Sequence, residues 1–175
     1  VQDIFMTETA RFADVILPAT TWAERGGTVT NTDRRVQRMR PVAKVHENTK
    51  HDLDILAEIG TRLFGEGFDF EEPEAVFEEL RQVCPSYHGM TYDALGEEGI
   101  HWPCYEQGDE GDQFLYEDSF DTESGLGHIE GVTHQPPKEV PDDEYPLILT
   151  TARLEEHYNT GTMSRRSPRL NKQYP

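Results

Sequence analysis

The sequence predicts an α/β chain whose 175 residues suit one domain or pieces of two. Three observations point there. Short apolar runs rich in branched residues, Val15-Ile16-Leu17 and Leu147-Ile148-Leu149-Thr150-Thr151, suit strands. Two stretches, after Thr49 and after Pro73, repeat apolar residues at helical spacing. A Gly-, Asp- and Glu-rich stretch then separates those helices from the last strand.

Val1-Gln2-Asp3-Ile4-Phe5 reads as the end of a buried strand, and the chain closes on the polar run Asn171-Lys172-Gln173-Tyr174-Pro175. Both ends look cut, so the chain is expected to be a segment of something larger. Thr7 is an N-cap candidate for a helical turn over residues 9–12. Val15 to Leu17, ended by Pro18, suits a buried parallel strand. Residues 24–40 read as loop and hairpin, with Gly26-Gly27 opening a turn and Thr28 to Asn31 extended. Arg34, Arg35, Arg38 and Arg40 follow, a third of the chain's arginines, and call for an internal ion pair or a bound anion.

Thr49 opens the clearest helix, with Asp52 as capping-box acid and Gly65 at the end. Leu53, Leu56, Ile59 and Leu63 form its expected buried stripe. Pro73 starts a second helix, with Val76, Phe77, Leu80, Val83 and Cys84 inward, Glu78, Glu79 and Arg81 outward, and Pro85 as the stop. Residues 86–139 are expected to be mostly irregular, with one helical turn over 91–95 and an aromatic loop at Trp102-Pro103-Cys104-Tyr105. Leu147 to Thr151 is the strand that begins a new unit.

Composition excludes several functions. With 34 acidic against 16 basic side chains, the net charge of -18 is wrong for a nucleic-acid binder or an anionic membrane surface. No apolar run approaches the roughly 20 residues that span a bilayer. Hydrophobic residues at 35% furnish a core, so the acids indicate a folded, salt-adapted surface, not a disordered tail. The basic residues are 12 Arg but only four Lys (Lys44, Lys50, Lys138, Lys172), which fits that reading. Cys84 and Cys104 lack any CxxC spacing and read as packed thiols.

A second candidate site follows the last strand: Thr151, Arg153, His157, Tyr158, Asn159, Thr160, Gly161 and Thr162, then Ser164, Arg165 and Arg166. Hydroxyls, an amide, an imidazole and guanidinia on a Gly-containing loop suit a phosphate or nucleotide. A polar turn with an internally satisfied His157 is the alternative reading.

Residues 7–24, Thr7-Glu8-Thr9-Ala10-Arg11-Phe12-Ala13-Asp14-Val15-Ile16-Leu17-Pro18-Ala19-Thr20-Thr21-Trp22-Ala23-Glu24, resemble the signature of prokaryotic molybdopterin oxidoreductases at every constrained position. Gln2 to Thr7, Gly27-Thr28-x-Thr30-Asn31 with Arg34-Arg35, and the Thr151-x-Arg153 to Met163 stretch also look like this family. Cys84-Pro85-Ser86-Tyr87 and His101-Trp102-Pro103-Cys104 are most similar to catalytic subunits of molybdenum formate dehydrogenases.

The resemblance implies a bis(molybdopterin guanine dinucleotide) molybdenum cofactor. It implies the end of a Rossmann-like pterin-binding domain over residues 1–48, a helical and loop connector over 49–139, and the start of a C-terminal β-barrel over 140–175. Asp52 matches the acid that pairs with a guanine, and Gln2 belongs to the same pocket; capping its helix is the competing role for Asp52. In the second stretch, Thr151, Arg153, His157, Asn159 and Thr162 are the implied cofactor contacts. Ala19 stands where some relatives carry serine, so a contact there runs through backbone. The family's CxxCxxxC motif for a [4Fe–4S] cluster and its molybdenum-ligating residue have no counterpart here, so no catalytic or metal-binding residue is assigned. The resemblance implies oxidation of formate or handling of another small oxyanion, an electron-transfer subunit as partner, and a cytoplasmic location. An assimilatory nitrate reductase, or a non-catalytic relative of the complex I type, are the alternatives.

Overall fold

The computed structural model describes residues 1–175. They divide into two compact units, Val1–Leu126 and Gly127–Pro175.

In the first unit, the N-terminal segments form a small parallel arrangement. β1 (Gln2–Asp3) pairs with β2 (Leu17–Pro18), in the register Gln2 opposite Leu17. A parallel bridge from Ala19 to Lys50 brings in a third segment. Lys50 N donates to the Pro18 carbonyl at 3.1 Å, and Thr20 N to the Lys50 carbonyl at 3.0 Å. These short links set three segments distant in sequence side by side. The turn over Thr9–Phe12 is a 3-10 helix whose Ala10 N donates to Thr7 Oγ1 at 3.1 Å. Val15 is 62% exposed, so only the end of the expected strand is paired.

The expected hairpin forms. β3 (Gly27–Thr30) runs antiparallel to β4 (Arg35–Met39), and β5 (Ile100–His101) pairs with the outer edge of β4. The connecting turn is closed by Asn31, whose carbonyl accepts from Arg34 N and whose Oδ1 accepts from Arg35 N. Buried His101 pairs through Nε2 with Asp33 Oδ2 at 2.9 Å, tying that turn to β5. The hydrogen bond from His101 holds the Asp33 carboxyl below the usual carboxylate range.

α1 (Asp52–Phe64) starts differently from the expectation. His51, not Thr49, is the N-cap: its Nδ1 accepts from Leu53 N at 3.0 Å, while Thr49 Oγ1 donates to the His46 carbonyl. Asp52 is therefore the first helical residue, where a negative charge meets the positive end of the helix dipole. Gly65 ends the helix at φ 91°, a conformation that favours glycine. The expected stripe is not buried: Leu56, Ile59 and Leu63 are exposed, and Ile55 and Gly60 face inward instead. Gly60 lies against Phe68, whose ring leaves no room for a Cβ.

α2 (Pro73–Val83) places Phe77 and Arg81, one turn apart, toward the core. Leu80 and Val83 are exposed, reversing the expected facing of Arg81. The reason is the aromatic group beyond: Phe77 meets Tyr87 edge-on and Tyr92 at a tilt, and only one helix face can take those rings. α3 (Tyr92–Leu95) is the expected single turn, capped by Thr91 Oγ1 accepting from Ala94 N at 3.0 Å. Val36, Phe77, Met90, Tyr92, Leu95, Ile100 and Cys104 form the core of this unit.

The second unit contains α4 (Pro168–Gln173) and a 3-10 turn at Ser164–Arg166. Residues 147–151 are not a strand. Leu147, Ile148 and Leu149 are 87%, 77% and 94% exposed, because a strand needs an edge to pair with and residues 127–175 offer none. No helix of the chain is long and apolar enough to cross a membrane.

Candidate functional site

Gln2 and Asp52, 50 residues apart, are brought together in the first unit. Gln2 Nε2 donates to Asp52 Oδ1 at 2.5 Å. A third residue, which sequence reasoning missed, completes the group: Arg25 Nη1 donates to Asp52 Oδ2 at 2.5 Å. The Arg25 and Asp52 side chains are each about one-third exposed, at 33% and 34%. Arg25 stands directly after the family-like signature, and its position next to Glu24 was the only hint in the sequence.

The local backbone explains the arrangement. The 3-10 turn over Trp22–Glu24 has a complete capping box: Glu24 Oε2 accepts from Thr21 N at 2.9 Å and from Thr21 Oγ1 at 3.0 Å. Glu24 Oε1 also accepts from His46 N at 2.6 Å. These donors, led by the Thr21 backbone N–H, hold the Glu24 carboxyl below its ordinary range. Arg25 therefore leaves a turn fixed at both ends. His51 Nε2 lies 3.4 Å from the Gly26 carbonyl while Nδ1 accepts from Leu53 N, so the neutral tautomer with a proton on Nε2 serves both bonds.

A guanine presents two adjacent donors, its ring N–H and its exocyclic amine. An ionised carboxylate has about four acceptor positions; Asp52 uses one on each oxygen, leaving one on each. The residues present thus fit such a base, with the carboxylate partly open to solvent.

In the second unit, Thr151, Arg153, His157 and Asn159 line one cavity with Ala152, Leu154, Thr160 and Arg165. Two arginines, Arg153 and Arg165, are among the lining residues and no carboxylate is, in a chain of net charge -18. Arg153 Nη1 donates to Asn159 Oδ1 at 3.4 Å, and Asn159 adopts φ 51°. Gly161 sits at φ 75°, where an added Cβ would come within 2.7 Å of the Arg165 side chain. Thr162 does not line the cavity; its carbonyl accepts from Arg166 Nε at 3.1 Å. His157 is buried with both ring nitrogens engaged: Nδ1 meets Ser164 Oγ at 3.0 Å, and Nε2 donates to the Tyr174 carbonyl at 2.6 Å. It holds the loop closed and has no nitrogen left for a ligand. Arg165 was foreseen in the sequence as part of this candidate site, though not among the cofactor contacts that the resemblance implies.

The arginine cluster on and beside β4 contacts other parts of the protein. Arg34 donates to the carbonyls of Trp102, Asp112 and Gln113. Arg38 lies 4.5 Å over the Tyr92 ring, and Arg40 pairs with Glu97 at 2.6 Å. The expected internal ion pair is not formed: the one ion pair of the cluster, Arg40 with Glu97, is exposed, and the other contacts go to carbonyls and a ring. No group of three or more His, Cys, Asp or Glu side chains is placed to hold a metal ion.

Residues 1–62 match the family described as molybdopterin oxidoreductase. The chain belongs to that family. Family relatives extend over nearly all of it. The F420-dependent formate dehydrogenase subunit alpha of Methanocaldococcus jannaschii is 46% identical over 171 residues, covering 97% of this chain and 25% of the relative. Formate dehydrogenase H of Escherichia coli is 40% identical over 167 residues, covering 94% of this chain and 23% of the relative. The assimilatory nitrate reductase catalytic subunit of Bacillus subtilis is 38% identical over 177 residues, covering 96% of this chain and 25% of the relative. The chain spans about a quarter of the length of these curated relatives. Membership implies an enzyme family and a molybdopterin cofactor.

Proposed function

We propose that this chain is the part of a formate dehydrogenase alpha-type subunit that holds molybdopterin guanine dinucleotide. The observation that carries the reading is the acid-free cavity of the second unit, which Arg153 and Arg165 both line in an otherwise strongly acidic protein. Guanidinia suit a pyrophosphate because they donate in a planar fork, and the hydroxyls of Thr151 and Thr160 add neutral donors. His157 shapes that loop from beneath, through Ser164 and the Tyr174 carbonyl. Asp52, with Gln2 beside it, receives the donor edge of a guanine in the first unit. Formate is the favoured substrate because relatives named formate dehydrogenase match at 46% and 40% identity.

When bound, the molybdenum centre supplies the acceptor for the two electrons released as formate becomes CO2. The residues of this chain bind and orient the dinucleotide and take no part in the redox step. An iron–sulfur cluster of the [4Fe–4S] type and an electron-transfer subunit complete the proposal, both on residues outside this chain, in the cytoplasm. The second reading is a nitrate reductase-type subunit, favoured by the 38% identity to the Bacillus subtilis protein. The two readings share the same cofactor contacts.

The test is made in the full-length protein. Arg153→Ala combined with Arg165→Ala is expected to lower the guanine nucleotide and molybdenum bound per protein by about tenfold or more, since each charged hydrogen bond contributes roughly 1.5–3 kcal/mol. Nucleotide is counted after acid release, and molybdenum by elemental analysis. Unchanged contents would overturn the reading. Dye reduction with formate against dye oxidation with nitrate distinguishes the two substrates.

A further inference from the structure

We propose that Arg25 is a positioning residue for base selection: it fixes the Asp52 carboxylate so that its two open acceptor positions face one guanine edge together. The inference rests on the reading of Asp52 given above and deepens it. A free Asp side chain rotates broadly about its last torsion, which is roughly two-fold and soft. Asp52 is clamped on both oxygens, by Gln2 Nε2 on Oδ1 and Arg25 Nη1 on Oδ2, each at 2.5 Å. Two contacts on opposite oxygens fix the carboxylate plane; either alone leaves it free to turn.

The clamp is itself anchored. Arg25 follows the turn closed by Glu24 on Thr21 and His46, and Asp52 begins a helix capped by His51. The His51 ring also reaches the Gly26 carbonyl, so the segments carrying Arg25 and Asp52 are joined behind the ion pair. The Arg25 Nε is buried without a hydrogen-bond partner, a cost accepted where the guanidinium is held for its Nη1 contact. Nothing else within the pair demands arginine at this point.

The chemistry follows from the donor count. Guanine offers a ring N–H and an exocyclic amine side by side, and a fixed carboxylate accepts both. Hypoxanthine keeps the ring N–H but lacks the amine. A fixed Asp52 therefore separates guanine from hypoxanthine, whereas a rotating one finds a single bond with either.

The test uses the full-length protein freed of cofactor, with GMP and IMP as probes in equilibrium binding. In the parent, GMP is expected to bind about tenfold more tightly than IMP, the effect of one hydrogen bond to a charged acceptor. Arg25→Met is expected to reduce that ratio to about twofold or less, and Arg25→Lys to restore most of it through one N–H of its ammonium. A melt of each variant by circular dichroism checks that the fold persists. If Asp52→Ala abolishes the preference but Arg25→Met retains the full tenfold ratio, the positioning role is wrong and the Asp52 reading stands. If Asp52→Ala leaves the GMP-to-IMP ratio unchanged, the Asp52 reading itself is wrong. A preference lost in Arg25→Met and not recovered in Arg25→Lys also overturns positioning by the single Nη1 contact.

Discussion

In residues 1–126 the core cluster of apolar side chains comes from β4, α2, α3, β5 and the loops at Met90 and Cys104. In residues 127–175 only His157 and Gly161 are buried, and Leu147, Ile148 and Leu149 stand exposed. The first unit is held by apolar surface gathered from segments far apart in sequence. The second is held by a polar ring through His157, Ser164 and Tyr174, and by a glycine that fits under Arg165. The difference separates two ways of positioning a ligand-facing side chain. One fixes it by contacts from segments far apart in sequence, as with Asp52 on Gln2 and Arg25; the other fixes it within one loop, as with Arg153 on Asn159.

The largest effect is expected from truncating the core of the first unit. Leu95 is 1% exposed, and Leu95→Ala should cost about 2–5 kcal/mol, the lost transfer energy plus the cavity left behind. Leu149→Ala, at a site 94% exposed, should stay within about 0.5 kcal/mol. Denaturant melts of the full-length protein measure both. Equal costs would break the distinction between the two units.

A smaller effect compares two arginines. Arg34 donates to three backbone carbonyls, those of Trp102, Asp112 and Gln113. Arg34→Met should cost about 1–3 kcal/mol by leaving those carbonyls to partial solvation. Arg165 donates to Asn171 Oδ1 at 3.3 Å on an exposed surface, and Arg165→Met should cost less than about 0.5 kcal/mol of stability. The same melts read both values, and a large cost at Arg165 would move it from ligand contact to scaffold.

Much of the first unit was legible because its signals are local. Gly26-Gly27 and Asn31 mark the β3–β4 hairpin, Thr91 caps α3, and Gly65 and Pro73 bound the two long helices. The facing of those helices was not legible. A period of three and four residues marks a stripe, but the neighbouring segment decides whether the stripe is covered; in α1, Leu56, Ile59 and Leu63 remain exposed. The strand expected at Leu147 failed for the same reason, since β-branched composition offers an edge but no partner. Of the site, Gln2 and Asp52 came from family resemblance, and the structure brings the two side chains into contact at 2.5 Å. Arg25 escaped because a lone arginine beside a conventional capping box carries no pattern of its own. His157 was foreseen as either a contact or a satisfied turn residue, and its two engaged nitrogens match the second alternative.

The finest distinction lies between two capping carboxylates. Glu24 spends both oxygens, Oε2 on Thr21 and Oε1 on the His46 backbone, joining segments 22 residues apart. Asp142 spends only Oδ1, on the backbone N–H groups of Glu144 and Tyr145 within its own turn. An amide has one acceptor oxygen, so Glu24→Gln loses one side of its bridge, whereas Asp142→Asn keeps both of its bonds. The sign with pH follows from the lowered Glu24 value. A carboxyl whose folded pKa is depressed contributes stability above its unfolded pKa, and that contribution disappears as pH falls through the folded value. Glu24→Gln should therefore lower the melting temperature at pH 7, and the gap from the parent should close on acidification below about pH 4. Asp142→Asn should leave the melting temperature unchanged at pH 7. A Glu24→Gln gap that persists undiminished at pH 3 would mean that the lost bridge acts through packing, and not through the ionised carboxylate.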